Sequence, residues 1–421
     1  MTRKRRRINW FWLILLAMLI LTGAYVDRFV IPANPNPFVP TPTATREPES
    51  FISEAEALFA QGKLNQSIDA YKQAIQINPN DPSYFVALAR VQVFNGQYKD
   101  AQTSAEDALL LNPNNSTAFA VRAWALDFQG DYLAAETAIK RALELDPNNA
   151  AAHAYYAEIL ADSYIGGTGP FDAVNQAIEE SKTAQSLAPN TLETHRARGY
   201  ILEVTGNYED AIREYQAALA INNNIADLHL ALGRNYYVLQ VNDKAVEEFT
   251  RANTLNPTDP TPEYLISRTY GRIGEYAKAA QYAEQAVKDN PSDPALHGNL
   301  GVWLYRNFQW PEAAAELKLA TVGGLTADGQ QVTPLTLTND ARIAEYFYTY
   351  ALVLARTYRC GEALPVSQSI LAKLPGDEVS VFNANEAIRL CQANINVTPT
   401  ATLVPEATIT PESTGTPTAG P

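Results

Sequence analysis

Basic residues are scarce in this sequence once its first seven positions are set aside. Arg3, Lys4, Arg5, Arg6 and Arg7 account for five of the 32 Lys and Arg, so the remainder carries 27 basic against 46 acidic residues. A body this acidic lacks the footprint of a nucleic-acid binder; solubility through like-charge repulsion is the plain account of the excess. Catalytic signatures are missing as well. There is no Gly-x-Ser-x-Gly, no His-Glu-x-x-His and no Gly-Lys-Ser/Thr loop, so neither a nucleophile elbow, a zinc protease helix nor a phosphate cradle is indicated. No cysteine lies near the end of the N-terminal apolar run, which excludes lipid attachment there. We expect no enzyme activity and no cofactor.

What is present is ordered from the ends inward. Ile8–Val26 is apolar apart from Asn9 and Thr22. At about 1.5 Å per residue it reaches roughly 28 Å, close to the hydrocarbon thickness of a bilayer. With residues 1–7 basic, the positive-inside rule predicts a transmembrane signal-anchor helix over 8–30. Its N-terminus would be cytoplasmic and the rest of the chain outside. A signal peptide cleaved near Thr22-Gly23-Ala24 is the alternative, and it would release the same body to the exterior. Residues 31–50 read as a semi-stiff Pro/Thr-rich stalk, and residues 396–421 as a disordered Pro/Thr-rich tail open to O-glycosylation.

Between these segments, residues 51–395 repeat. Pro79, Pro113, Pro147, Pro189, Asn223, Pro257 and Pro291 are spaced by 34 residues except for one step of 42. With that Pro counted as position 32, position 8 is Ala55, Ala89, Ala123, Ala157, Gly199, Gly233, Ser267, Gly301 and Ala351. Position 20 is Ser67, Ala101, Ala135, Ala177, Ala211, Ala245, Ala279, Ala313 and Ala363. Position 27 is Ala in eight units and Ile370 in the ninth. Chance does not keep 26 of 27 positions small. Paired helices of 12–14 residues packing at about 8–10 Å do, because their closest approaches leave no room.

A 34-residue period with small, Gly, Tyr, Ala, Ala and Pro marks resembles the tetratricopeptide repeat. The resemblance implies an all-α, right-handed α-solenoid of about nine helix-turn-helix repeats, which the hydropathy reading places after the membrane helix. Gly near position 15 allows the turn inside each pair, and Gln240 or Phe308 in its place predicts a looser turn. Two inserts break the period. Residues 163–175 lengthen the turn of the fourth repeat. Residues 321–340, with Asp328-Gly329 between β-prone runs, read as a hairpin projecting from the array.

His153, His195, His229 and His297 all fall at position 4. Successive copies of one position lie about 10 Å or more apart, too far to share a metal ion, so these are read as structural. The two cysteines sit differently. Cys360 opens the second helix of the ninth repeat, and Cys391 lies near the end of an expected capping helix over 376–395. Antiparallel neighbours would bring them together, and an oxidising exterior favours the disulfide.

In the tetratricopeptide family, positions 2, 5, 9, 12 and 13 of the first helices line the concave face and hold ligands. Carried over, these give Arg90, Phe94, Trp124, Arg196, Tyr200, Arg234, Tyr237, Tyr264, Arg268, Arg272, Tyr305 and Arg306. Acidic residues, among them Asp127, Glu158, Asp162, Glu193, Glu203 and Asp227, fall at the same positions. Arg with aromatics suits peptide recognition, since guanidinium pairs with carboxylate and rings supply contact area. The expectation is a membrane-anchored scaffold outside the cytoplasm. It would bind a protein or peptide segment in this groove and touch the bilayer through its N-terminal helix. A spacer or assembly factor with no peptide ligand is the alternative.

Overall fold

The computed structural model describes residues 9–26, 28 and 46–395. The basic cluster, most of the expected stalk and the expected tail lie outside the described residues. Helix α1 runs Trp10–Tyr25, about 24 Å at 1.5 Å per residue. Among the described residues no helix is long and apolar enough to cross a membrane. The expected span over 8–30 is therefore not formed by them; residues 8, 27, 29 and 30 are outside the description.

Nine helix pairs follow among the described residues. They are α2 (Pro48–Ala60) with α3 (Leu64–Ile77), α4 (Pro82–Phe94) with α5 (Tyr98–Leu111), and α6 (Ser116–Asp127) with α7 (Tyr132–Leu145). Next come α8 (Ala150–Ile165) with α9 (Ala173–Leu187), α10 (Leu192–Val204) with α11 (Tyr208–Ile221), and α12 (Ala226–Val238) with α13 (Asn242–Leu255). The last three are α14 (Thr261–Arg272) with α15 (Tyr276–Asp289), α16 (Pro294–Arg306) with α17 (Trp310–Thr321), and α18 (Ala341–Arg356) with α19 (Cys360–Lys373). Helix α20 (Glu378–Ile395) packs on both members of the last pair. The first pair begins at Pro48, where Pro at the start of a helix sacrifices no internal hydrogen bond.

The small positions are small for a visible reason. A Cβ built on Gly233 would stand 2.5 Å from the Phe249 ring, and one on Gly301 would stand 2.5 Å from Leu317. Position 8 is thus where the large residue of position 24, sixteen residues later, lies flat against the first helix. Phe249 is fully buried there, and truncating such a ring to Ala costs roughly 3–5 kcal/mol.

Helix stops and turns are more tolerant than the spacing implied. Asn223 stands where other repeats have Pro, yet α11 still ends at Ile221. The Asn222 side chain accepts from the Asn224 amide at 3.0 Å, the same Asx turn that Asp146 makes with Asn148. That local bond competes with helix continuation without Pro. Gln240, Phe308 and Tyr358 take φ of 61°, 63° and 61°, against 74° and 76° for Gly96 and Gly130. The looser turn expected at Gln240 and Phe308 does not occur. Val241 N–H still bonds to Tyr236 at 2.9 Å, as Gln97 N–H does to Gln92. The packed pair imposes the left-handed conformation and overrides a local preference of about 1–2 kcal/mol.

The inserts behave as follows. Only residues 166–172 join α8 to α9; the outer parts of the expected insert, 163–165 and 173–175, continue the two helices. In the second insert β1 (Gly324–Leu325) pairs antiparallel with β2 (Gln331–Val332). This hairpin does not simply project. Val332 and Leu337 are buried and Leu335 N–H bonds to Ala320 at 2.9 Å, so the insert lies on α17.

Cys360 and Cys391 are joined, with Cα atoms 5.5 Å apart and a sequence separation of 31. Cys391→Ser should cost the C-terminal cap about 3–4 kcal/mol on the chain-entropy account. Urea unfolding followed by an α20 probe should then show an earlier cap transition. Coincident transitions for variant and parent would deny the staple.

Candidate functional site: a divided concave face

First helices of successive pairs touch one another, α6 with α8 and α8 with α10 among them, so they line the inner, concave face, and it is not one continuous groove. The N-terminal half curls until the turn of the first repeat meets the loop between the fifth and sixth. Asn222 Nδ2 donates to the Phe59 carbonyl at 3.0 Å, and Asn224 Nδ2 to that of Ala60 at 3.4 Å. Gly62 sits in this contact at φ +70°, and a Cβ there would fall 2.1 Å from Asn224 Cβ. Only glycine fits both the turn and the approach.

Inside the curl, the expected ligand-binding residues are engaged with one another. Arg90 on α4 reaches α10, its Nε donating to Glu193 at 2.6 Å, while its guanidinium lies over the Phe59 and Phe94 rings at 4.9 and 5.3 Å. Arg196 bonds to Glu158 and, at 3.0 Å, to Asp227. It stacks over Trp124 at 5.1 Å. Trp124 is itself buried, with its indole N–H donating to Glu158 at 2.9 Å. Tyr200 donates to Asp162, and Arg234 Nε donates to Glu203 at 3.0 Å. Burial drives the Tyr200 hydroxyl far above its ordinary range, and the Asp162 carboxylate adds to it. These acids were legible as concave-face positions. Their pairing with the arginines was not, because each partner comes from another repeat.

The C-terminal half is different. Arg272 stacks over Tyr237, its guanidinium carbon 3.4 Å from the ring centre, and donates to the Tyr237 carbonyl. Arg268 lies 5.9 Å from the Tyr264 ring. Arg356 Nε donates to the Tyr305 hydroxyl at 3.0 Å, and Arg342 to that of Tyr264 at 3.1 Å. Among the described residues none of Arg268, Arg272, Arg306, Arg342 and Arg356 has a carboxylate oxygen within 4 Å. Arg268 is held above its usual range by nearby tyrosines and Glu345, against the opposing effect of its burial. Arg342 and Arg356 complete the patch.

Each of the four histidines is bonded to a glutamate on the second helix of its own pair. His195, His229 and His297 pair through Nδ1 with the carboxylates of Glu214, Glu248 and Glu316 at 2.7, 2.6 and 2.6 Å, each nineteen residues on. His153 reaches Glu180, 27 residues on because of the eight-residue insert. The recurring Glu at that offset was the available signal. Burial tends to lower the His297 pKa, but the Glu316 bond and the Pro291 carbonyl outweigh it, and the net shift is upward. A raised folded-state pKa means the contribution is complete below the unfolded value near 6.5 and fades as pH climbs through the folded one. The thermal midpoint of His297→Gln should therefore trail the parent more at pH 5.5 than at pH 8.5. An equal gap at both would show that the brace is not charged.

Sequence comparison agrees with the geometry. The family described as "TPR repeat" matches residues 55–96. "Tetratricopeptide repeat" families match 86–150, 121–163 and 264–328, and 192–225. No curated protein matches the chain. Similar folds among solved structures include the APC/C hetero-tetramer Cut9–Hcn1, at 16% identity and TM-score 0.48, with 69% of this chain and 52% of that one aligned. The chain thus spans about half of that structure's length. Another is PilF of Pseudomonas aeruginosa, at 17% identity and TM-score 0.45, covering 58% of this chain and 99% of that one. MamA aligns at 25% identity and TM-score 0.32, over 39% and 92%.

Proposed function

This chain is a tetratricopeptide-repeat protein, and from that premise we propose that the concave face of its last three repeats captures an acidic segment of a partner protein. Tetratricopeptide repeats make a protein–protein interaction scaffold, and the question is which part of this one is free to interact. The carrying observation is the contrast between the two halves. Arg90, Arg196 and Arg234 are each matched to a carboxylate of the chain itself, whereas Arg268, Arg272 and Arg306 are matched to none among the described residues. Guanidinium groups flanked by Tyr237, Tyr264 and Tyr305 offer charge-assisted, bidentate bonds beside flat apolar surface.

The reading places this scaffold outside the cytoplasm, held by the N-terminal apolar run. The support is the basic cluster at residues 3–7 followed by apolar residues 8–26. Alkaline extraction of membranes and protease access from the exterior test that placement. A photo-crosslinking residue at position 305 in intact cells tests the groove. A single acidic partner should be trapped there, and far less by the same residue at position 94, inside the closed half. Equal trapping at both would remove the division. Self-association with nothing captured would favour the spacer reading instead.

A further inference from the structure

The closed half contains a second feature that the scaffold role does not use. A cavity of about 210 Å³ opens on the concave side, walled by Phe128, Glu158, Asp162, Tyr200, Tyr215 and Arg234. Arg196, Asp227 and Ala231 complete it. Around it five carboxylates, Asp127, Glu158, Asp162, Glu203 and Asp227, face two guanidiniums. Both of those are committed, Arg196 to Glu158 and Asp227, and Arg234 to Glu203. Asp162 accepts from the Tyr200 hydroxyl and has no cationic partner among the described residues.

Directly behind Asp162, within hydrogen-bonding reach of it, stands Asp127 on α6. Asp127 is 3% exposed, and neither of its carboxylate oxygens has a hydrogen-bond donor. A buried carboxylate without a partner costs several kcal/mol, so such groups in folded proteins are neutralised, hydrated or occupied by a ligand. A metal ion does not suit the geometry, since among the described residues no three His, Cys, Asp or Glu side chains are placed to hold one. Phe128, Tyr215 and Ala231 give the cavity an aromatic and aliphatic wall among its charged residues.

We propose that this cavity binds a primary ammonium carried on an unbranched alkyl chain. The ammonium would sit against Asp162, with Asp127 behind it, and the chain would lie against Phe128 and Tyr215. Such a group brings three donors and a positive charge to Asp162, which has a hydroxyl donor but no cationic partner among the described residues, and its methylenes replace water on the rings. Two sources share this chemistry, a free diamine and the lysine side chain of a polypeptide.

Both carboxyls are pushed upward and stand within hydrogen-bonding reach of each other, so on this proposal the pair holds a proton before the amine arrives. Burial is the main cause, and the neighbouring Asp162 and Glu158 add to it in pushing the Asp127 carboxyl well up. The other charged or titratable groups facing the pair are Glu158 on the same helix as Asp162, Arg196 and Tyr200 on α10, Arg234 on α12, and Tyr132 on α7. The incoming ammonium keeps its charge and displaces that proton to solvent.

The test is calorimetric titration of the purified chain at pH 6.5 and 150 mM salt, in buffers of different ionisation enthalpy. One probe is 1,5-diaminopentane, the other the peptide acetyl-Gly-Lys-Gly-amide, and 1-pentanol is the uncharged control. One site is expected for at least one of the amines, with about one proton released and no binding of the alcohol. Whichever amine binds identifies the source. Asp162→Asn should weaken binding at least tenfold. Asp127→Asn places a permanent donor against Asp162, so it should weaken binding and abolish proton release; it also serves if the first variant misfolds. No saturable binding of either amine, or binding indifferent to both substitutions, overturns the proposal.

Discussion

Charge reversal at Arg268 and Arg272 together (R268E/R272E) is expected to cut capture of the acidic partner by at least a hundredfold. Each guanidinium–carboxylate bond in a partly shielded groove is worth about 1.5–3 kcal/mol, and every 1.4 kcal/mol is a factor of ten. Reversal also replaces attraction with repulsion. Arg272 is exposed and Arg268 half-buried, so Arg272→Glu alone, the variant least able to disturb packing, should still lose about tenfold. Crosslinking yield at position 305, or the affinity of the trapped partner once isolated, is the readout. Partner binding should also weaken between 50 and 300 mM salt, since the groove charges face water on one side. Unchanged affinity in R268E/R272E would mean that the free arginines are ordinary surface residues.

The second large effect is on stability and concerns Arg196, whose side chain is 11% exposed between Glu158 and Asp227. Arg196→Ala should destabilise the middle repeats by about 3–5 kcal/mol. It strands Glu158, 3% exposed, and the stranded charge costs more than the pair contributes. The stacking on Trp124 and Phe128 is lost too. Exchange of both partners for apolar residues, as in E158L/R196M, should recover much of the loss, because no buried charge is then left alone. Hydrogen exchange across α8, α10 and α12 is the measurement. In a solenoid each repeat leans on its neighbours only, so protection should fall there and persist in α16–α19. A loss spread evenly along the array, or none, would contradict the argument.

Local rules explain why so much of the architecture was legible. A helix pair is stable only if positions 8, 20 and 27 stay small, and that demand is written into each 34-residue unit without reference to any other. Cys360 and Cys391 could be paired for the same reason, since adjacent antiparallel helices bring one start beside one end. Other features exceeded what one unit can show. The left-handed Phe308 and Tyr358 defy their own preference because finished packing holds the turn. The membrane span set over residues 8–30 was an argument from hydropathy, and the described helix is shorter.

The order of residues by itself determined the all-α repeat architecture, a count of about nine helix pairs and the positions that must stay small; the face assigned to arginine, tyrosine and carboxylate came from the family resemblance. Only the tertiary structure decided which of those arginines are spent internally and which stay free. The physical reason is cumulative curvature. A small rotation per repeat, set jointly by every interface, brings Phe59 against Asn222 across 163 residues and Arg90 against Glu193 across 103. No single unit encodes that closure.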